Sequence, residues 1–221
     1  MRKAVEEEEE NAVRIPVDKT TIEGNLVLPP HAKGVVLFAH GSGSGRFSPR
    51  NQYVAKVLNQ AGIATLLIDL LTKQEEEEDL QTGQFRFDIN LLAQRLIGAT
   101  EWLRKNPRTK NLAFGYFGAS TGAAAALISA AKLPEGIKAV VSRGGRPDLA
   151  WDYIPNVKAP TLFIVGGNDT VVIDLNKKAL KNFSAQKKLE IVPGASHLFE
   201  ETGKLEEVAK LAASWFSKYL R

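Results

Sequence analysis

The 221-residue chain contains no cysteine. That single absence excludes disulfides, thiolate metal sites and a cysteine nucleophile together. No apolar run is long enough to cross a membrane. The opening Met1-Arg2-Lys3-Ala4-Val5, followed by five glutamates, lacks the apolar core of a signal peptide. A cytoplasmic protein without a membrane partner is the expectation. Concentrated positive charge is also lacking. The 29 lysines and arginines outweigh 25 acids by only +4, and they are scattered, whereas the two charge runs, at 6–10 and 75–79, are acidic. Nucleic-acid binders gather basic residues into patches, so no nucleic-acid partner is expected. Histidine is scarce, with three in the chain, which leaves few candidates for a general base. What remains is ordinary for a globular protein: 44% apolar and 24% charged residues, with length for one domain over 1–221 and a charged arm at 1–12, whose glutamates at 6–10 read as solvated or as the charged start of an edge strand.

The most informative stretch is Gly115-Tyr116-Phe117-Gly118-Ala119-Ser120-Thr121-Gly122-Ala123-Ala124. An apolar, aromatic run reads as a strand, and an alanine-rich run reads as a helix. Between them, Gly118-Ala119-Ser120-Thr121-Gly122 matches Gly-x-Ser-x-Gly, the pattern of a nucleophile elbow. The spacing has a steric reason: the turn strains the serine backbone and lifts its hydroxyl clear of the sheet, and the flanking glycines let strand and helix approach closely.

The rest of the chain alternates strands and helices. Residues 13–17 and 21–28 read as an antiparallel opening pair. Residues 34–39 form a continuous apolar run, the mark of a strand buried on both faces. That run ends in His40-Gly41-Ser42-Gly43-Ser44-Gly45, which lacks the Gly-Lys-Ser/Thr of a phosphate loop. A helix over 51–61 and a strand over 63–69 follow. Residues 70–87, with Glu75-Glu76-Glu77-Glu78-Asp79, read as a solvated acidic loop whose carboxylates are not spaced as metal ligands. Asp88 caps a helix over 89–105. Strands are expected at 112–117, 138–142, 161–165 and 189–192, and helices from the elbow to about Leu133, at 175–183 and at 205–220. This is an α/β chain with a doubly wound, mostly parallel sheet of about eight strands. The connection between 142 and 161 has room for one short helix, so little or no lid is expected there.

A serine hydroxyl needs a base, and the base needs an orienting acid. His197 follows the last strand in Gly194-Ala195-Ser196-His197, at the carboxyl edge where open parallel sheets gather their functional groups. His31 lies among prolines and His40 in the glycine turn. The acid should follow the preceding strand, where Asp169 stands in Gly166-Gly167-Asn168-Asp169; Asp174 is the fallback. Ser120…Asp169…His197 is the chain order of an α/β-hydrolase triad. The backbone N–H groups of Thr121 and Ser42 are the expected oxyanion donors, with Gly41 as the rival to Ser42, and each such donor is worth roughly 3–4 kcal/mol. No cofactor or metal is called for.

The segments His40-Gly41-Ser42-Gly43-Ser44, Ser48-Pro49-Arg50-Asn51, Phe117 to Ala123, Ser142-Arg143-Gly144-Gly145-Arg146-Pro147-Asp148 and Pro193 to Phe199 carry a family likeness. The chain resembles α/β-hydrolases of the dienelactone-hydrolase-like group, and within it the small bacterial hydrolases that occur alone or fused behind a phosphoribosyltransferase domain. Dienelactone hydrolases proper use a cysteine nucleophile, whereas a serine stands here. The expected activity is that of a serine carboxylesterase on short or soluble acyl esters, acting as a monomer or homodimer. Thioester and lactone hydrolysis use the same residues, and a non-catalytic binding protein on a hydrolase fold is the reading from another class. Arg143, with Arg46 as its companion, is the candidate for pairing a carboxylate or phosphate on the substrate; the competing reading pairs these arginines with nearby acids such as those at 75–79.

Overall fold

The computed structural model describes residues 9–221. Within these residues eight strands form one sheet: β1 (Glu9–Val17), β2 (Thr20–Leu28), β3 (Gly34–Ala39), β4 (Ala64–Ile68), β5 (Ala113–Ala119), β6 (Ala139–Arg143), β7 (Thr161–Gly166) and β8 (Lys187–Val192). Their spatial order is β1-β2-β4-β3-β5-β6-β7-β8. β1 and β2 pair antiparallel, β2 runs antiparallel to β4, and every later pairing is parallel. Among the described residues six helices cover the sheet: α1 (Pro49–Gln60), α2 (Lys73–Thr82), α3 (Ile89–Lys105), α4 (Thr121–Lys132), α5 (Thr170–Lys181) and α6 (Lys204–Tyr219). A kinked run of 3-10 turns, Pro147–Asn156, joins β6 to β7.

The period-2 geometry of a strand splits the core into two layers. In β3, Val35 and Leu37 face α3 and α4, while Val36 and Phe38 face α1 and α6. Both sets are buried, which explains why the run has no polar alternation. Phe38 and Phe117 lie on neighbouring strands with ring centroids 4.8 Å apart, and burial of each ring stabilises by about 2 kcal/mol. On the other layer the buried Tyr116 hydroxyl meets Thr100 Oγ1 at 2.7 Å, so its polar tip is satisfied inside the core.

Most boundaries fall within two residues of the sequence expectation, and three departures are larger. β1 reaches back to Glu9, pairing Glu9 with Leu28, so residues 9–12 of the expected charged arm are strand; residues 1–8 lie outside the described residues. α5 begins at Thr170 rather than 175, directly after Asp169. The largest change is α2, where a solvated loop is expected. Thr72 and Glu75 form a capping box: Thr72 Oγ1 accepts from the Glu75 N–H at 3.2 Å, and Glu75 Oε2 accepts from the Thr72 N–H at 2.7 Å. Asp79 is buried and accepts from the N–H groups of Phe85 and Arg86, and from Arg86 Nε. Arg95 on α3 donates to Glu75 at 2.6 Å. The acidic run is thus partly structural.

His40, at the end of β3, ties that strand to the end of β4. The Leu70 N–H donates to His40 Nε2 at 3.0 Å. Nε2 is therefore the unprotonated nitrogen, and Nδ1–H donates to the Gly41 carbonyl at 2.9 Å. Burial depresses its pKa below the ordinary 6.5, against the raising influence of the Gly41 carbonyl and the Asp69 carboxylate. The sign follows: the unfolded chain takes up this proton at higher pH than the fold does, so this contribution is intact above pH 6.5 and is lost as pH falls below it. Chemical denaturation from pH 7 to 5 should show wild type losing up to about 1.4 kcal/mol per pH unit relative to His40→Gln. A flat difference between the two would contradict this. A second test addresses the close packing of β3 on α4. A Cβ on Gly122 would overlap the carbonyl oxygens of Ala39 and His40. Gly122→Ala should therefore cost about 3 kcal/mol in urea denaturation; a loss below about 1 kcal/mol would show slack between strand and helix.

Candidate active site

Ser120 sits between β5 and α4 with φ 51° and ψ −120°, a conformation that side-chain-bearing residues rarely adopt. Its neighbours hold it there. The Ser120 N–H donates to the Arg143 carbonyl at 3.1 Å, extending the β5–β6 ladder by one step, and the Ser120 carbonyl accepts from the N–H groups of Ala123 and Arg146. A Cβ on Gly118 would overlap Ala123. The reversal is possible only because strand and helix backbones touch.

The strand ends of β7 and β8 carry the other two groups. The N–H of Gly167 donates to the Val192 carbonyl at 2.8 Å, and that of Asn168 to the Ala195 carbonyl at 3.0 Å. A Cβ on Gly166 would overlap the Ser196 carbonyl. The two turns are thus joined backbone to backbone. Across them His197 Nδ1 lies 2.6 Å from Asp169 Oδ2, and His197 Nε2 lies 3.3 Å from Ser120 Oγ. Asp169 occupies the N-cap position of α5 yet makes no side-chain cap bond; its carboxylate is directed to the imidazole instead. Asp174 lies within α5. Gly144, with φ 53°, leaves room for the ring: a Cβ there would stand 3.3 Å from His197 Cε1. On the far side of the loop, Glu201 accepts from the Ser196 N–H with both carboxylate oxygens at 3.1 Å. That bond is the main cause that lowers the Glu201 pKa. Phe199, buried with φ 58°, closes the same turn.

The two expected oxyanion donors meet each other. The Ser42 N–H donates to Thr121 Oγ1 at 3.0 Å, and the two hydroxyls are 3.1 Å apart. Thr121 is the first residue of α4, so its own N–H belongs to the set without an intrahelical acceptor. Gly41 passes so close that a Cβ on it would lie 3.1 Å from Ser120 Cβ.

Arg46 and Arg143 separate. Arg46 pairs with Asp69, by side chain and by backbone N–H, and with Glu23 Oε2 at 2.7 Å. Both terminal nitrogens are committed to those acids, so Arg46 is a clamp between β2, the glycine turn and the end of β4 rather than a free cation for substrate. Its partners also differ from the expected 75–79 acids, because the glycine turn returns over β4. Arg146 pairs with Asp148. Among the described residues Arg143 has no carboxylate partner, and Arg50, from the loop beyond the glycine turn, stands beside it. Together with Ser42, Ser44, Ser120 and His197 the two arginines line a cavity of about 190 Å³. A second cavity, of about 430 Å³, lies between the glycine turn and α2, lined in part by Ser42, Leu71, Glu76 and Leu80. Among the described residues no group of three or more histidines and acids is arranged to hold a metal ion, and no helix is long and apolar enough to cross a membrane.

Residues 22–220 match the dienelactone hydrolase family. A dienelactone hydrolase from Anabaena variabilis is 62% identical, superposes with a TM-score of 0.96, and is matched over 97% of this chain and 99% of its own. A Mycobacterium tuberculosis protein that carries the name phosphoribosyl transferase is 54% identical over 208 residues, which are 94% of this chain and 46% of that protein. The chain therefore spans a little under half the length of this curated relative. An esterase from Pyrococcus furiosus, 15% identical and matched over 97% of this chain and 92% of its own, shares the fold with a TM-score of 0.77. With the family match covering nearly its whole length, the chain belongs to the dienelactone hydrolase family and has the α/β-hydrolase fold.

Proposed function

We propose that the protein is a serine carboxylesterase acting on short or soluble acyl esters through Ser120, His197 and Asp169. The observation that carries this is the continuous path from Asp169 Oδ2 to His197 Nδ1 at 2.6 Å, and from His197 Nε2 to Ser120 Oγ at 3.3 Å. The second distance is long for a hydrogen bond, as resting sites often are before substrate tightens them. In this reading Ser120 Oγ attacks the ester carbonyl carbon and its proton passes to His197 Nε2. Asp169 accepts from Nδ1–H, holding the productive tautomer and stabilising the imidazolium. The tetrahedral intermediate collapses, the leaving alkoxide takes the proton from Nε2, and an acyl-Ser120 ester remains. Water then repeats the sequence, with His197 as base, and frees the acid.

The developing oxyanion is assigned to the N–H groups of Thr121 and Ser42. The Ser42 N–H reaches a substrate oxygen only after the Thr121 hydroxyl leaves it, so the carbonyl oxygen replaces Thr121 Oγ1 as acceptor. An exposed imidazole, at 38% of its side chain, together with the single run of 3-10 turns between β6 and β7, supports access for small acyl groups. A lactone is an ester closed on itself, and the name of the Anabaena variabilis relative makes lactones the second substrate class to assay.

Steady-state hydrolysis of p-nitrophenyl acetate and butyrate tests the reading. Ser120→Ala should reduce kcat by about 10⁴-fold or more, and Asp169→Asn by about 10⁴-fold, each with its fold retained by circular dichroism. Ser120→Ala turning over at more than a few per cent of wild type would overturn it.

A further inference from the structure

β8 is the last strand of the sheet, with β7 on one side and no strand on the other among the described residues. Its pairing with β7 fixes which backbone groups are used. The Gln186 carbonyl accepts from the Thr161 N–H at 2.9 Å, and the Val192 carbonyl accepts from the Gly167 N–H at 2.8 Å. Backbone groups alternate sides along a strand, so residues 186, 188, 190 and 192 turn theirs to β7. The N–H and C=O groups of Lys187, Leu189 and Ile191 point outward, as a row of donors and acceptors open to a further strand.

The usual guards of an edge strand are weak here. β8 contains no proline, whereas β1, at the opposite edge, carries Pro16. Lys187 is an edge lysine, but its Nζ is folded back onto the Phe183 carbonyl at 2.5 Å. Lys188 shares a face with Glu190 and pairs with it at 2.5 Å, so its charge is already matched within the strand. On the other face Leu189 packs against Val165 and against Val172 and Ile173 of α5, and Ile191 is left 40% exposed.

Charge and backbone parity together select the partner. In an antiparallel pair of two β8 strands, related by a two-fold axis at Leu189, Leu189 faces itself and Lys187 faces Ile191. Each of these residues then exchanges both hydrogen bonds through its outward groups. Lys188 faces Glu190 of the second copy at the non-hydrogen-bonded positions, where side chains approach most closely. The intrachain ion pairs become an alternating cluster of lysines and glutamates. An axis at 188 or 190 sets lysine against lysine or glutamate against glutamate, and an axis between residues opposes outward groups to inward ones. We infer that β8 is the edge of a homodimer: two copies pair antiparallel through Lys187, Leu189 and Ile191, the sheet runs on from one copy to the other, and Lys188 opposite Glu190 fixes the register. The inference is independent of the esterase reading.

One strand pair is a small interface, so sedimentation velocity from about 1 to about 200 μM should show a monomer–dimer equilibrium with a dissociation constant of about 10 μM. A chain that stays monomeric throughout would overturn the proposal. Lys188→Glu and Glu190→Lys each set like charges across the axis, and each should weaken the dimer about tenfold or more. The double swap, Lys188→Glu with Glu190→Lys, restores opposite pairs and should return the constant to within about threefold of wild type. Lys188 is 61% exposed and Glu190 30%, and thermal unfolding checks that each variant is folded. A dimer that both single substitutions leave intact, or that the double swap fails to restore, would overturn the proposal. Amide hydrogen exchange reads the backbone directly. Exchange at Leu189 and Ile191 should slow as the dimer fraction rises; exchange unchanged in a dimeric sample would place the contact elsewhere and contradict the inference.

Discussion

The backbone-to-backbone contact of β3, β5 and α4 is the constraint from which the site follows. Gly122 lies against the carbonyl oxygens of Ala39 and His40, and Gly118 against Ala123. With no Cβ at these two positions, the chain can leave β5, reverse at Ser120 with φ 51° and enter α4 within one residue. The strain at Ser120 is offset by three backbone hydrogen bonds, to Arg143, Ala123 and Arg146. Everything nearby inherits its position from this junction: Gly41 presses on Ser120, Thr121 meets Ser42, and β6 delivers Arg143 to the same edge.

A second backbone-to-backbone junction carries the other two groups. The turns after β7 and β8 are joined through Gly167, Asn168 and the close approach of Gly166 to Ser196. Asp169 and His197 are 28 residues apart in the chain yet 2.6 Å apart in space. Both are placed by backbone hydrogen bonds and close backbone contact between neighbouring turns, the kind of support that a positioned site requires.

Much of this was legible in the sequence, for a definable reason. The buried runs of β3 to β7, the glycine spacing around Ser120 and the order Ser120, Asp169, His197 are local patterns or chain-order patterns, and such patterns survive without coordinates. What escaped is what depends on register between distant segments. Arg46 meets Asp69 and Glu23 because the glycine turn folds back over β4 and β2, and no local pattern contains that return. Arg50 reads only as part of the loop beyond the oxyanion turn, because its nearness to Arg143 depends on α1 packing against the end of β6. Helix α2 was hidden by its low apolar content, although Thr72-x-x-Glu75 is a capping box visible in the sequence. The glutamates at 6–10 left a solvated arm and the charged start of an edge strand both open, because only the pairing with β2 decides where the strand begins.

The electrostatics divide in the same way. Arginines that hold the fold are neutralised by carboxylates, and the two that face Ser120 are not, apart from the exposed Glu200. The covalent step at Ser120 is the claim on which the functional account turns. Its most direct measurement is acid-quench mass spectrometry of the protein during turnover of p-nitrophenyl butyrate. The account predicts a butyryl group, one per protein, on the peptide spanning Gly118 to Gly122 and located at Ser120. Steady turnover with no acyl adduct, or an adduct mapped to another residue, would contradict it.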